Sequence, residues 1–391
     1  MSALYPSDPF DFASLLTPAE QAAVLRLRAT LEAHVKPLVN DYWSRDEFPL
    51  EVIPHLVGMN MMDPQEIKDA GATPSLLFDG FRTFELARCD ASISTFYNAV
   101  AGLFRTTVKL GGSPEQVAKW DPQIQSFDLF GVFCLTEAEH GSDIARGLAT
   151  TAERNGDTWT INGDKRWIGG VFAANTLAIF ARDVADGQVK CFLVPKNAPG
   201  VSYSKITGKA SLKIMQNADI KLVDVKVGDD VRLQNINSFA DVAGLLRNMR
   251  SLVSWIACGV MAGAYEAAVD YVKQREQFGK PLSNFQLIQE KLARMLANLT
   301  ASLAMTVRLT QQQAEGVYVD ENSSMAKMQT SLLMRETVAL AREVVGGNGI
   351  VVDYDVARFF ADAEAIYSYE GTHEINALVV GRSITGKSAF V

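Results

Sequence analysis

Cysteine and histidine are both scarce in this chain. Cys89, Cys134, Cys191 and Cys258 lie far apart, with no CxxC pair. That spacing excludes a disulfide framework and leaves buried thiols in a reducing compartment. His34, His55, His140 and His373 show no HExxH or other paired spacing, so no metal site is expected. Positive charge is short as well: 37 Lys and Arg stand against 45 Asp and Glu, a net charge of −8. Neutralising a phosphate backbone needs clustered cations, and none occur, so a nucleic-acid surface is not expected.

Addressing signals are wanting too. Met1-Ser2-Ala3-Leu4-Tyr5-Pro6 has no basic region followed by an apolar run, and Ser388-Ala389-Phe390-Val391 is not a Ser-Lys-Leu peroxisomal address. A cytoplasmic chain without a signal peptide is the expectation. The one long apolar stretch, Leu252 to Val269, contains Ser254, Gly259, Gly263, Tyr265 and Glu266 and runs on into Lys273-Gln274-Arg275-Glu276. It reads as a core helix, not a membrane span.

What is present is a globular balance, 48% hydrophobic and 21% charged over 391 residues, enough for two or three domains. The pattern is helical, then β, then helical, an α+β multidomain chain. Thr17-Pro18-Ala19-Glu20 is a capping box, with Val24, Leu27, Leu31, Val35 and Leu38 on the face that follows. Leu76 to Arg88 and Ser92 to Leu110 continue the helical pattern up to Gly111-Gly112-Ser113. From residue 129 the period shortens. Leu129 to Leu135 reads as a buried strand, Asn155-Gly156-Asp157 and Asp186-Gly187 as hairpin turns, and Ile220 to Val227 as a late strand. Helices return at Asp241 to Arg275, Asn284 to Glu315 and Ser324 to Val345, with Ser283-Asn284-Phe285-Gln286 as a second capping box and Gly346-Gly347 as a stop. Domains are expected at residues 1–128, 129–235 and 236–391, the last like a four-helix bundle.

The chemistry concentrates near the end. Ile366-Tyr367-Ser368-Tyr369-Glu370-Gly371-Thr372 places a carboxylate where a helix breaks, among apolar and aromatic side chains. Desolvation there raises a carboxylate's pKa toward the range of a general base. Thr372 offers an N-cap to a last helix, whose free N–H groups suit an anion or a flavin oxygen. Taken alone, a Glu beside a Gly is as a rule a solvated loop residue. Several distant stretches change that reading.

Those stretches are Leu135-Thr136-Glu137-Ala138-Glu139-His140-Gly141-Ser142-Asp143, Lys165-Arg166-Trp167-Ile168, Arg275-Glu276-Gln277-Phe278-Gly279-Lys280-Pro281, Phe285-Gln286, Gly346-Gly347-Asn348-Gly349-Ile350 and Tyr369-Glu370-Gly371-Thr372. In this order, and over nearly the whole length, the chain resembles the acyl-CoA dehydrogenase and oxidase flavoproteins. The glycine turn follows a helix, so it is not a Rossmann fingerprint.

The resemblance implies FAD and an acyl-CoA thioester. Glu370 would remove the α proton while the β hydride passes to the flavin, and its backbone N–H would help bind the thioester oxygen. Phe133, Leu135, Thr136, Ser142, Trp167, Ile168 and Gly169 would meet the flavin. Arg275, Gln277, Phe278, Gln286 and the turn Gly346, Gly347, Asn348, Gly349 would meet the rest of FAD across a subunit interface, with Thr372 and Glu374 completing the set. A homodimer at least, and a homotetramer as a dimer of dimers, is therefore expected. Ser142, Arg250, Gly371, Arg382 and Ser94 would contact substrate, with Phe96, Tyr97 and Trp255 as candidates for the acyl wall. No Glu lies between Asp241 and Glu266, so Glu370 is the one candidate base at a family position.

The tail is similar to glutaryl-CoA dehydrogenases and the short-chain acyl-CoA oxidases of plants. Glutaryl-CoA enzymes bind the distal carboxylate with an arginine where this chain has Ser94, which disfavours that substrate. Dehydrogenases read Trp-Ile-Thr where this chain has Trp167-Ile168-Gly169-Gly170, a departure shared with the oxidases. The electron acceptor stays open between an electron-transfer flavoprotein and O2. A catalytically idle acyl-CoA-binding or assembly protein is the rival reading, opposed by an intact Glu370, Arg275 and Thr136.

Overall fold

The computed structural model describes residues 4–389, so the outermost residues of both terminal readings, 1–3 and 390–391, lie outside the described residues. The chain gathers into two compact units. One holds the residues up to Thr95, Ala210–Ile214 and Arg250 onward; the other holds Phe96–Lys209 and Met215–Met249.

The leading helices are α1 (Pro18–His34), α2 (Lys36–Arg45), α3 (Ile53–Gly58), α4 (Gln65–Asp69), α5 (Leu76–Cys89), α6 (Ala91–Asn98), α7 (Arg105–Gly111) and α8 (Pro114–Gln125). The sheet comprises β1 (Gly131–Cys134), β2 (Thr151–Asn155), β3 (Thr158–Gly169), β4 (Thr176–Asp183), β5 (Val189–Pro195), β6 (Val201–Lys205) and β7 (Asn217–Gly228), with the short α9 (Ile144–Gly147) after β1. Then come α10 (Phe239–Gln274), the small hairpin β8 (Glu276–Gln277) and β9 (Lys280–Pro281), α11 (Gln286–Ala314), α12 (Asp320–Val344), α13 (Val356–Ser368) and α14 (His373–Thr385). Helices, a β region and helices follow one another as the sequence pattern predicts.

In the first unit the Thr17 capping box forms as read: the Thr17 hydroxyl accepts from the Glu20 N–H at 3.3 Å and the Glu20 carboxylate accepts from the Thr17 N–H at 2.9 Å. Val24, Leu27 and Leu31 of α1 are buried. The apolar helix α10 owes its composition to close packing on α5. A Cβ added at Gly259 would lie 2.3 Å from the Phe84 carbonyl oxygen, and one at Gly263 would lie 2.3 Å from that of Arg88. Only glycine admits α5 at that distance. α10 is long and apolar enough to cross a membrane, yet 72% of its most apolar window is buried inside the structure.

The same unit buries a polar knot. Arg358 is 1% exposed and pairs with Asp90, with Asp355 at 3.1 Å and with the Asn40 side-chain oxygen at 3.0 Å. Beside it, Asp362 accepts from Trp43 Nε1 at 2.9 Å and from the Leu212 N–H at 2.7 Å. Burial, with Asp90 adding to it, pushes Asp362 up to about 7 despite these donors and Arg358. A carboxyl whose folded pKa lies above its unfolded one favours the fold at low pH, and that contribution is lost as pH rises through about 7. Asp362→Asn removes the titration and keeps an acceptor for Trp43. The expected result is a flatter stability curve, the variant gaining about 1–3 kcal/mol on wild type between pH 5 and pH 8 in urea unfolding. Parallel curves would show that Asp362 stays ionised throughout.

The second unit is built on one sheet with the strand order β1-β4-β2-β3-β7-β6, β5 pairing with β4. β1 and β2 run parallel to β4; the β2–β3, β3–β7, β4–β5 and β6–β7 pairs are antiparallel. The helix read over Ser92 to Leu110 is interrupted: a π-helical stretch, Ala99–Phe104, separates α6 from α7. It accompanies a tight contact, since a Cβ on Gly131 would lie 2.1 Å from the Phe104 ring. Local periodicity does not reveal that constraint.

Two capping assignments differ from the sequence reading. Ser283 does not cap a helix: it sits in a 3-10 turn, Leu282–Asn284, while Phe285 takes the N-cap of α11 without a side-chain hydrogen bond. Ser113, read only as a helix stop, caps α8 in a box with Gln116. The four cysteines are free. Burial pushes Cys89 and Cys258 up to about 12, which keeps them as unreactive thiols.

Candidate active site

α13 ends at Ser368 and α14 begins at His373, so Glu370 lies in the reversal between two helices. Glu370 has φ 52° and Gly371 φ 90°, consecutive residues on the left-handed side. Glycine takes this conformation freely, whereas glutamate is strained by it. The Thr372 hydroxyl accepts from the Ile375 N–H at 3.3 Å and starts α14 as expected. Asn376, fully buried, donates to the carbonyls of Gly371 at 2.9 Å and Thr372 at 3.0 Å.

The Glu370 Oε2 atom is sealed from solvent and, among the described residues, has no hydrogen-bond partner. Burial pushes this carboxyl up to about 7, with the charges of Lys327 and Arg250 pulling the other way. Lys327, on α12, is fully buried and donates to the carbonyls of Tyr367 at 2.7 Å and Gly371 at 2.8 Å. Arg250, on α10, reaches the Ser324 hydroxyl at 3.4 Å. Arg382 and Glu374 on α14 are exposed. The hydroxyl of Ser94 is buried and committed to the Thr83 carbonyl at 3.2 Å, and Trp255 Nε1 to Thr310 at 3.0 Å.

Most of the remaining candidate site residues of this unit face outward. Phe278, at φ 53°, is 92% exposed at the tip of the β8–β9 hairpin. Arg275, Gln277 and Gln286 beside it are exposed, and among the described residues Arg275 forms no ion pair. The glycine turn follows α12 as a 3-10 stretch, Gly346–Ile350. A Cβ at Gly346 or Gly347 would meet nothing within 4 Å, whereas one at Gly349 would lie 2.2 Å from the Arg342 carbonyl oxygen. Gly349 thus serves the fold, while Gly346 and Gly347 leave an open face. Asn348 donates to the Tyr271 hydroxyl at 3.0 Å.

The other unit carries Phe133, Leu135, Thr136, Ser142, Trp167, Ile168 and Gly169. Trp167 holds φ 65° and is 51% exposed, with the Arg166 guanidinium 5.1 Å from its ring centroid. Asn217 donates to its carbonyl at 3.0 Å. The Leu135–Ser142 loop is braced by a buried pair. Lys165 donates to Glu137 at 2.8 Å and to the Leu135 carbonyl at 3.2 Å, and Glu137 accepts from the Ala149 and Thr150 N–H groups and the Thr150 hydroxyl. Beside Gly169 an added Cβ would lie 2.3 Å from Met215 Cε, so the space of a side chain there is already filled by Met215.

Sequence reasoning missed Lys327, Asn376 and the bracing role of Glu137 with Lys165. Lys327 had a signal: it falls in helical register with Ser324, Thr330, Ser331 and Met334, all on the buried face of α12. Each unit carries groups that suit part of a flavin dinucleotide. In the unit with the sheet, the exposed Trp167 indole offers a flat surface. In the other, Arg275, which among the described residues has no carboxylate partner, and the buried Nδ1 of His373, which has no hydrogen-bond partner among them, offer polar contacts.

Three family models match in succession: acyl-CoA dehydrogenase, N-terminal domain, at residues 17–128; middle domain, at 132–225; and C-terminal domain, at 239–385. A 3-(aryl)acrylate reductase of Clostridium sporogenes is 30% identical over 382 residues, covering 93% of this chain and 98% of that protein. A glutaryl-CoA dehydrogenase from Mycobacterium smegmatis, solved in complex with FADH2, superposes with a TM-score of 0.91 at 28% identity, covering 99% of this chain and 100% of that one. Butyryl-CoA dehydrogenase from Megasphaera elsdenii gives 0.88 at 28% identity, covering 94% and 98%.

Proposed function

The chain belongs to the acyl-CoA dehydrogenase family, and from that premise we propose that Glu370 is the base that removes the α proton of a short-chain acyl-CoA thioester on its way to the trans-2-enoyl-CoA. FAD, the cofactor of the family, supplies the hydride acceptor when bound. The observation that carries the reading is the Glu370 carboxyl itself: strained in its backbone, sealed at Oε2, without a hydrogen-bond partner there and raised to about 7. An ion-paired carboxylate would be too weak a base, and a solvated one would sit near 4.

Other roles follow the same premise. Phe133, Leu135, Thr136, Ser142, Trp167, Ile168 and Gly169 would hold the flavin end. Arg275, Gln277, Phe278, Gln286, Gly346, Gly347, Asn348, Gly349, Thr372 and Glu374 would hold the remainder. Arg250, Gly371, Arg382, Ser94 and Ser142 would meet the thioester or its CoA. The functional division is 1–128, 129–235 and 236–391, in a cytoplasmic homotetramer that light scattering would size.

Short-chain rather than glutaryl substrate is favoured because Ser94 already donates to a backbone carbonyl and brings no cation. A distal carboxylate left unpaired would cost several kcal/mol. The test is the absorbance of the bound flavin, mixed without oxygen with butyryl-, hexanoyl- and glutaryl-CoA, then opened to air. Bleaching by the first two and not the third is the expected result. Fast recolouring in air identifies O2 as acceptor; bleaching that persists identifies a protein acceptor such as an electron-transfer flavoprotein. A flavin that stays yellow with every thioester would leave an acyl-CoA-binding or assembly role instead. The reductase relative adds one arm, since a base that removes the α proton can return it: enoyl-CoA with reduced flavin should run the reaction backward.

A further inference from the structure

We propose that Lys327 is a positioning residue for the base: its ammonium ties the backbone on both sides of Glu370 and holds that carboxyl in the reversal from which it acts. This rests on the reading of Glu370 as the base.

A lysine in a helix interior is an expensive choice, because an ammonium loses its hydration there and normally recovers it from a carboxylate. Lys327 is 0% exposed and, among the described residues, forms no ion pair within 4.0 Å. Its partners are instead two carbonyls, Tyr367 at 2.7 Å and Gly371 at 2.8 Å, one before and one after Glu370. The Gly371 carbonyl is fixed twice, since Asn376 also donates to it at 2.9 Å.

That bracing answers a need of the turn. Glu370 at φ 52° is followed by Gly371 at φ 90°, and a non-glycine residue keeps such a conformation only where its surroundings enforce it. Without the tie, Glu370 can relax toward ordinary backbone angles and its carboxyl swings away. The cation also sits close enough to matter electrostatically. The charged and titratable groups around it are Glu370 itself, Arg250 from α10, Glu374 and His373 from α14, and Tyr367 and Tyr369 flanking the turn. Arg335, on the same helix, stacks on Tyr367 at 4.4 Å. Burial pushes Lys327 down to about 8, with Glu370 and Glu374 acting to raise it, so it is charged at neutral pH. Its charge and that of Arg250 oppose the burial that raises Glu370. A neutral residue at this place therefore costs both geometry and the ionised fraction of the base.

The experiment compares Lys327→Met, Lys327→Gln and Lys327→Arg with Glu370→Gln as FAD-loaded enzymes, reading the anaerobic rate of flavin reduction by butyryl-CoA against pH. Lys327→Met should lose ~10- to 100-fold in rate with little change in the substrate concentration at half saturation. The pH at which its rate reaches half of plateau should rise by about one unit, because removing a cation disfavours the carboxylate. Lys327→Gln, which keeps one amide donor for a carbonyl, should show the same rise with a smaller loss of rate. Lys327→Arg should keep the wild-type midpoint within about tenfold of the wild-type rate. An unmoved midpoint in the Met or Gln variant overturns the proposal, since a lysine that only supported the fold, without bearing on the Glu370 carboxyl, would lower the plateau alone. Should neither neutral variant bind FAD, an Arg variant with a shifted midpoint overturns it and one with the wild-type midpoint supports it. Glu370→Gln at the wild-type rate would instead bring down the reading of the base.

Discussion

Glu370→Gln should lower the rate of flavin reduction by about two to four orders of magnitude at pH 8, the contribution expected of a placed general base if Glu370 is the base proposed above, while FAD stays bound. The amide keeps the size and shape of the carboxyl, so the reversal between α13 and α14 has no steric reason to change. The pH profile supplies an independent reading of the same group. Burial holds Glu370 at about 7, so wild-type reduction should climb as pH rises through 7 and level off, whereas the variant's residual rate should not follow that curve. Stability should move in the opposite sense. A carboxyl with a raised folded pKa favours the fold below its unfolded value, near 4, and that contribution is lost as pH rises through about 7. Glu370→Gln should therefore be more stable than wild type at pH 8, the difference closing toward pH 5. Stopped-flow absorbance at matched FAD content and urea unfolding at the two pH values check both halves. Bleaching at the wild-type rate would remove Glu370 from the chemistry.

Much of this arrangement is legible in the sequence, for a physical reason. The break between α13 and α14 is written locally, in Tyr369-Glu370-Gly371-Thr372, because a left-handed residue, a glycine and an N-cap are neighbours in the chain. The same holds for the Thr17 capping box and for the hairpin turn at Asn155-Gly156-Asp157. What escaped is what depends on distant partners. Ser283 has the composition of a cap, but a 3-10 turn in front of α11 leaves that place to Phe285. The π-helical stretch Ala99–Phe104 meets a strand, β1, far along the chain. Lys327 binds carbonyls 40 and 44 residues away, so nothing beside it in sequence names its partners. Its place on the buried face of α12 was the only hint, and periodicity reads such a lysine as an exception rather than as a tie.

Lys165→Met should be the most destabilising single change in the unit that carries the sheet, at about 3–5 kcal/mol, because it strands a buried carboxylate. Lys165 is 1% exposed and Glu137 6% exposed, and they meet at 2.8 Å. Burial alone would raise Glu137, but the Lys165 charge, aided by hydrogen bonds from Thr150 and Ala149, outweighs it and holds the carboxyl below its usual range. A group depressed in this way stabilises the fold above its unfolded pKa, and that contribution is lost as pH falls through the folded value, so the brace should loosen in acid. Removing the ammonium reverses the balance. The carboxylate keeps its burial and loses its counter-charge, and the Leu135 carbonyl loses a donor. In thermal unfolding this should appear as a fall of roughly 5–15 °C in the transition of that unit. The double variant Lys165→Met with Glu137→Gln should recover more than half of the loss, since the neutral amide still accepts from the Ala149 or Thr150 N–H and no charge is left buried. On the proposal that Leu135, Thr136 and Ser142 of the braced loop hold the flavin, the effect should reach FAD as well. A titration of apoprotein should find weaker FAD binding in the single variant and partial restoration in the double one. If Lys165→Met instead cost less than about 1 kcal/mol, the pair would be worth no more than an exposed one, and the loop would owe its shape to the Glu137 hydrogen bonds alone.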